Sequence, residues 1–217
     1  MSTLLKRNRC RSWRLYAITC PERLGARRLE QVVEQAIRGG AGVVQLRDKN
    51  ASDSELLRQA LTLLPVTRRY RVPLVVNDRV PVAKQAGPDG VHLGQQDGTL
   101  ADARRELGER AIIGRSTHSP EQALEAEREG FDYIGVGPVL ATPTKPGRPG
   151  VGLEFVRFAA ANLRIPFVAI GGIDENNLEE VLAAGARSVA VVRAVMGADD
   201  PERAAQELLG ILKKRDG

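Results

Sequence analysis

Aromatic side chains are scarce in this sequence, 4% of 217 residues against 42% hydrophobic residues in all. A core must therefore be built from Val, Leu, Ile and Ala, a composition that suits buried parallel strands covered by helices. Cysteine is nearly absent. Cys10 and Cys20 have no CxxC partner and no metal-type spacing, which argues against a disulfide framework and for a reduced, cytoplasmic compartment. No apolar run approaches membrane-spanning length, and the basic amino-terminal stretch lacks the apolar segment of a secretory signal. No membrane partner is expected. The net charge of +5 raises the question of nucleic acid. Yet Lys6, Arg7, Arg9, Arg11 and Arg14 concentrate the excess near the start, and no basic stripe with interleaved aromatics follows. No nucleic-acid partner is expected, and residues 1–14 read as a basic, flexible or loosely docked tail.

Beyond that tail, short apolar runs alternate with helix-like stretches, the signature of βα units. The runs are Leu15 to Thr19, Val43 to Leu46, Leu74 to Asn77, Gly90 to Leu93, Ala111 to Gly114, Tyr133 to Val136, Phe167 to Ile170 and Val189 to Val192. Between them, Leu29, Val32, Val33, Ala36 and Ile37 keep helical spacing, as do Leu56, Leu57, Ala60, Leu61 and Leu64. Ser52 to Glu55 matches a capping box, and Ser119 precedes a first-turn proline. Eight strand–helix pairs without a linker predict an α/β fold, a single (β/α)8 TIM barrel over residues 15–217. A doubly wound open sheet is disfavoured, because no GxGxxG follows the first strand.

In such a barrel, chemistry collects where strands end at the carboxyl face. Alternate residues share a face of a strand, so Gln45, Arg47 and Lys49 would point into the barrel mouth while Leu46 and Asp48 point to the helices. Two cations on one inward row invite an anion. Asp78 and Asp97 come from neighbouring strand ends, and sparse carboxylates beside a phosphorylated substrate are a Mg²⁺ arrangement. Either aspartate also reads as a helix cap, and Asp97, before Gly98, as a turn residue. His92 lies within an apolar strand and reads as a hydrogen-bonded core histidine. Ser116 and His118 could face the mouth together, without an orienting acid. Gly171-Gly172 and the Val191-Val192-Arg193 segment end strands seven and eight, the recurrent phosphate position of this fold. Finally, Tyr133 to Gly152 opens into Ala141-Thr142-Pro143-Thr144-Lys145-Pro146-Gly147-Arg148. Its hydroxyls, cations and glycines suit an oxyanion.

The motifs Gln45-Leu46-Arg47-Asp48-Lys49, Val76-Asn77-Asp78-Arg79, Gly90-Val91-His92-Leu93-Gly94-Gln95, Gly114-Arg115-Ser116-Thr117-His118, Thr142-Pro143-Thr144-Lys145 and Ile170-Gly171-Gly172-Ile173, in this order, resemble the thiamine-phosphate synthase family. The resemblance runs from Leu15 to the last helix. It implies a transferase that joins 4-amino-2-methyl-5-hydroxymethylpyrimidine diphosphate to a thiazole phosphate by dissociative substitution. Gln45, Arg47, Lys49 and Asn77 would then hold the pyrimidine diphosphate, Asp78 and Asp97 the Mg²⁺ cofactor, and Ser116 would lie near the pyrimidine. Thr142, Thr144, Lys145, Gly172, Val192 and Arg193 would receive the thiazole phosphate. Arg47, Lys49, Lys145 and Ser116 would carry catalysis. One departure is Arg193, where some members of the family have a serine. Two alternatives accompany this reading: a thiazole tautomerase on the same barrel, with His118 as acid/base, and a non-catalytic phosphate- or nucleic-acid-binding barrel. A homo-oligomer is compatible with all three.

Overall fold

The structure is a computed structural model, and it describes residues 3–141 and 150–214. Eight parallel strands close into a barrel in chain order. They are β1 Leu15–Ile18, β2 Val43–Leu46, β3 Leu74–Asn77, β4 Gly90–Leu93, β5 Ile112–Thr117, β6 Tyr133–Val136, β7 Phe167–Ile170 and β8 Val189–Val191. Seven of the eight fall within one residue of the expected bounds. β5 runs three residues further, through Arg115 and Ser116, because Ser116 pairs with Gly135 and Thr117 with Val136; β8 ends one residue early, and Val192 turns into the next helix.

The helices that follow are α2 Leu29–Arg38, α3 Asp53–Arg69, α4 Val80–Ala86, α5 Leu100–Leu107, α6 Pro120–Glu129, α7 Gly152–Asn162, α8 Leu178–Ala183, the short α9 Arg193–Met196 and α10 Pro201–Lys213, after an amino-terminal α1 Thr3–Arg11. Their starts obey local chemistry. Ser52 and Glu55 form the reciprocal capping box expected for α3, and Ser119 caps α6 ahead of Pro120. Apolar stripes on these helices pack over the outward residues of the strands, as Val32, Val33 and Ala36 do against the side that carries Val44 and Leu46. A second, inner cluster fills the barrel itself: Tyr16, Ile18, Val43, Val75, Ile112, Tyr133, Val168 and Ala190. Two-residue periodicity separates the two layers.

The amino-terminal stretch differs from the expected tail. Residues 3–11 form α1, whose Lys6 and Cys10 are buried together with Trp13. Lys6 Nζ donates to Glu109 O at 2.9 Å and lies 3.3 Å from Asp132 Oδ1. Arg7 donates to Phe131 O, Arg9 pairs with Asp89, and Arg11 donates to Arg164 O. Trp13 meets Tyr16 and Tyr133 with ring centroids 5.9 and 5.2 Å apart. The residues reached are those leading into strands, so α1 plugs the amino-terminal end of the barrel. Its cations, which composition alone leaves unassigned, are engaged by backbone carbonyls and carboxylates of the fold.

Candidate active site

At the opposite end a cavity of about 430 Å³ opens between the strand ends. Its floor is polar. Gln45 Nε2 donates to the Tyr16 hydroxyl at 2.8 Å, Tyr16 and Tyr133 hydroxyls lie 2.8 Å apart, Tyr133 meets His92 Nδ1 at 2.9 Å, and His92 Nε2 meets Ser116 Oγ at 2.9 Å. Gly114 makes this row possible. A Cβ there would overlap the Tyr133 ring and come within 2.6 Å of His92 Nδ1. Burial pushes the Tyr16 and Tyr133 hydroxyls above their ordinary values, so both keep their protons.

The rim differs in character. Arg47, Asn77 and Arg193 line it together with Gly171, Gly172 and Val192. Gly171 (φ 111) and Gly172 (φ 68) hold left-handed backbone, and a Cβ on Gly171 would lie 2.5 Å from Pro138. Only glycine lets the loops after β6 and β7 approach this closely. Val139 N donates to Ile170 O and Leu140 N to Gly171 O, while Val151 N returns to Pro138 O at 2.7 Å. Both ends of the β6 loop are thereby held at the mouth. Thr142, Thr144 and Lys145, expected to bind phosphate, lie outside the described residues.

The expected row on β2 is divided. Gln45 is buried in the floor and Arg47 lines the cavity, whereas Lys49 is exposed and lies outside the cavity lining. Its positive charge acts on Asp78 instead. Asp48 turns to the helices, accepting from Gln59 Nε2 at 2.9 Å. Asp78 and Asp97 are hydrogen-bonded neighbours, and burial, followed by that contact and the charge of Asp97, pushes Asp78 up to about 6. Asp78 sits at φ 62, uncommon for a residue with a side chain. Asp97 Oδ2 accepts from Gly94 N at 2.7 Å. The two are a pair: among the described residues, no group of three or more potential metal-ligating side chains gathers.

Three residues with evident roles here escape sequence reasoning. Tyr16 and Tyr133 look like core aromatics, and only their inward parity on β1 and β6 marks them as floor residues. Arg115 leans over Phe131, 5.5 Å from its ring centroid, and donates to Gly94 O and Gly98 O, both at 2.9 Å. It straps the loop that carries Asp97. His118 lines the cavity with its Nδ1 against Gly137 O.

A closed parallel barrel whose polar and cationic cavity lies at the carboxyl ends of the strands defines a TIM barrel with a site suited to small anionic molecules. Comparison with known proteins narrows this. The family described as "Thiamine monophosphate synthase" matches residues 15–195. A thiamine-phosphate synthase of Thermus thermophilus is 54% identical over 81% of this chain and 84% of its own. One of Gloeobacter violaceus is 51% identical over 91% of this chain; the match spans 57% of that relative's length. The solved thiamine phosphate pyrophosphorylase of Pyrococcus furiosus is 39% identical, with a TM-score of 0.87 covering 97% of this chain and all of that one. The chain belongs to the thiamine monophosphate synthase family, transferases of thiamine biosynthesis. Neither the tautomerase nor the non-catalytic barrel finds support in these matches. No helix among the described residues is long and apolar enough to cross a membrane.

Proposed function

We propose that the chain joins 4-amino-2-methyl-5-hydroxymethylpyrimidine diphosphate to a thiazole phosphate, releasing diphosphate and forming thiamine phosphate. The observation that carries this reading is the division of one cavity into a hydrogen-bonding floor without Asp, Glu, Lys or Arg side chains and a rim of Arg47, Arg193 and left-handed glycines. A neutral heterocycle suits the floor, and phosphate groups suit the rim.

In this reading Gln45, Asn77 and Ser116 orient the pyrimidine. Arg47 holds the diphosphate, and Lys49 adds charge from the side of the carboxylates. Gly172, Val192 and Arg193 receive the thiazole phosphate, with Thr142, Thr144 and Lys145 assigned to the same group by the family resemblance. The C–O bond to diphosphate breaks with its electron pair leaving on oxygen, and a benzylic-type cation remains on the pyrimidine methylene. The thiazole nitrogen lone pair then forms the new C–N bond. No protein nucleophile is required, which agrees with a floor that lacks a Ser-His-acid arrangement. What the residues must supply is fixed charge where the leaving group forms. Apolar Ile18, Val168 and Ile170 on the cavity wall limit water that would capture the cation.

Asp78 and Asp97 fit Mg²⁺. Two touching carboxylates, one of them pushed toward its neutral form, are a hard oxygen donor set in need of positive charge. When bound there, the ion would neutralise charge on the departing diphosphate. Incubating the purified chain with both phosphorylated substrates, with and without Mg²⁺, tests the proposal: thiamine phosphate and diphosphate should appear together and depend on the metal. Proton exchange on a thiazole carboxylate phosphate without coupling would overturn it in favour of the tautomerase.

A further inference from the structure

We infer that Tyr16, Tyr133 and His92 are positioning residues that fix the direction of the hydrogen-bond chain across the barrel, so that Ser116 offers its hydroxyl proton, and Gln45 its amide oxygen, to the bound heterocycle. The inference rests on the function proposed above and adds what the floor selects.

The direction follows from counting donors. Gln45 Nε2 can only donate, and it donates to the Tyr16 oxygen. The Tyr16 proton then has one partner in reach among the described residues, the Tyr133 oxygen. Tyr133 must in turn donate to His92 Nδ1, which places the ring proton on Nε2, facing Ser116 Oγ. With its oxygen accepting from His92, Ser116 has its own proton left for the cavity. The reverse direction leaves Tyr16 accepting from both Gln45 and Tyr133, with its own proton lacking any partner among the described residues at a side chain only 2% exposed. A doubly protonated His92 donates at both nitrogens and strands one tyrosine proton as well. An unsatisfied buried donor is the costlier arrangement by a wide margin. Gln45 Oε1 has no partner among the described residues and belongs to the cavity lining.

The floor is thus set for a neutral ring that accepts at one edge and donates at another, the pattern of an aminopyrimidine with a ring nitrogen and an exocyclic amino group. A ring that is protonated on the nitrogen meeting Ser116, or that lacks the amino donor, would meet a donor facing a donor or an acceptor facing nothing.

The test reads the tautomer of His92 directly, by ¹⁵N NMR of the ligand-free, histidine-labelled chain at neutral pH. The chain has 2 histidines, and His118→Asn serves only to assign the signals. The expected result is the Nε2–H tautomer in the wild type. In Tyr133→Phe it should become a mixture, with KM for the pyrimidine diphosphate raised about three- to tenfold, the loss of one net hydrogen bond, and KM for the thiazole phosphate unchanged. An Nδ1–H tautomer in the wild type overturns the inference, as does a Tyr133→Phe enzyme whose tautomer and KM are both unaltered. Should Tyr133→Phe fail to fold, Tyr16→Phe removes the link through which Gln45 sets the direction and carries the same two readouts. Because the tautomer is read without substrate, an Nε2–H signal in a chain without coupling activity would refute the proposed function and uphold the direction of the chain.

Discussion

Lys6 offers a sharp test of whether the amino-terminal segment is part of the barrel. Its side chain is 1% exposed, its Nζ donates to Glu109 O, and it stands 3.3 Å from an aspartate that is itself 0% exposed. Lys6→Met keeps most of the stem and removes the charge. Breaking a buried ion pair by removing one partner costs about 3–5 kcal/mol when the remaining charge is left alone. Asp132 is not left alone, since Arg104 Nη2 holds Oδ2 at 2.5 Å and Ile113 N donates to the same oxygen at 2.8 Å. Only Oδ1, which has no hydrogen bond of its own, loses its cation. We therefore expect about 2–4 kcal/mol. At about 2–4 °C per kcal/mol for a chain of this size, Tm should fall by roughly 4–16 °C. Thermal unfolding followed by circular dichroism reads this, with Arg58→Met, exposed on α3, as the control expected to shift little. Pairing the change with Asp132→Asn completes a double-mutant cycle, in which the coupling should be about 0.5–3 kcal/mol. A Lys6→Met protein that melts within about 2 °C of the wild type would mean that α1 is not bound to the barrel as described, and the expectation of a loosely docked tail would stand.

Other predictions are independent of the plug. Asp78→Ala should fold and lose turnover by roughly a hundred- to thousandfold, the usual effect of removing a preorganised charge contact; near-normal Mg²⁺-dependent diphosphate release would refute its assignment as a metal ligand. Gly114→Ala should be destabilised by about 1–3 kcal/mol or more, because its methyl overlaps the Tyr133 ring and crowds His92. Gly210→Ala, in the exposed interior of α10 with nothing within 4 Å of the added carbon, should instead stabilise by about 0.5–1 kcal/mol, both read by urea unfolding. Burial and the hydrogen bond to Glu22 push the Cys20 thiol up to about 11, and Cys10 higher still. Both therefore stay protonated at pH 8, and folded protein should react with iodoacetamide far more slowly than urea-unfolded protein, the Cys20 rate rising with pH until about 11. Fast labelling of either cysteine at pH 8 would contradict its burial.

The barrel was readable because each strand is a run of Val, Leu, Ile and Ala between helical stretches, and burial on both faces demands such runs. Gln45, Arg47, Asn77, Ser116, Gly172, Val192 and Arg193 all line the cavity at or just past strand ends, and within a strand side-chain parity, which follows from residue number alone, turns Gln45 inward. Parity fails once the strand stops. Lys49 lies three residues past the end of β2, where the chain has bent, so alternation no longer places it in the cavity. The same limit hid α1: its mean composition is polar, and the partners that bury Lys6 and Cys10 are contributed by segments near residues 109 and 132, remote in sequence. Tyr16 and Tyr133 were hidden for a different reason. A tyrosine in an apolar run satisfies every criterion for a core residue, and what distinguishes these two is the partner of each hydroxyl, which is set across strands β1, β2, β4 and β6 at once. Their scarcity was the available clue. Two of only 3 tyrosines in the chain stand on inward positions of strands, where a phenylalanine would fill the same space, so their hydroxyls are there to be bonded. The polar floor of an apolar barrel is specified by inward residues that carry one polar atom more than packing needs.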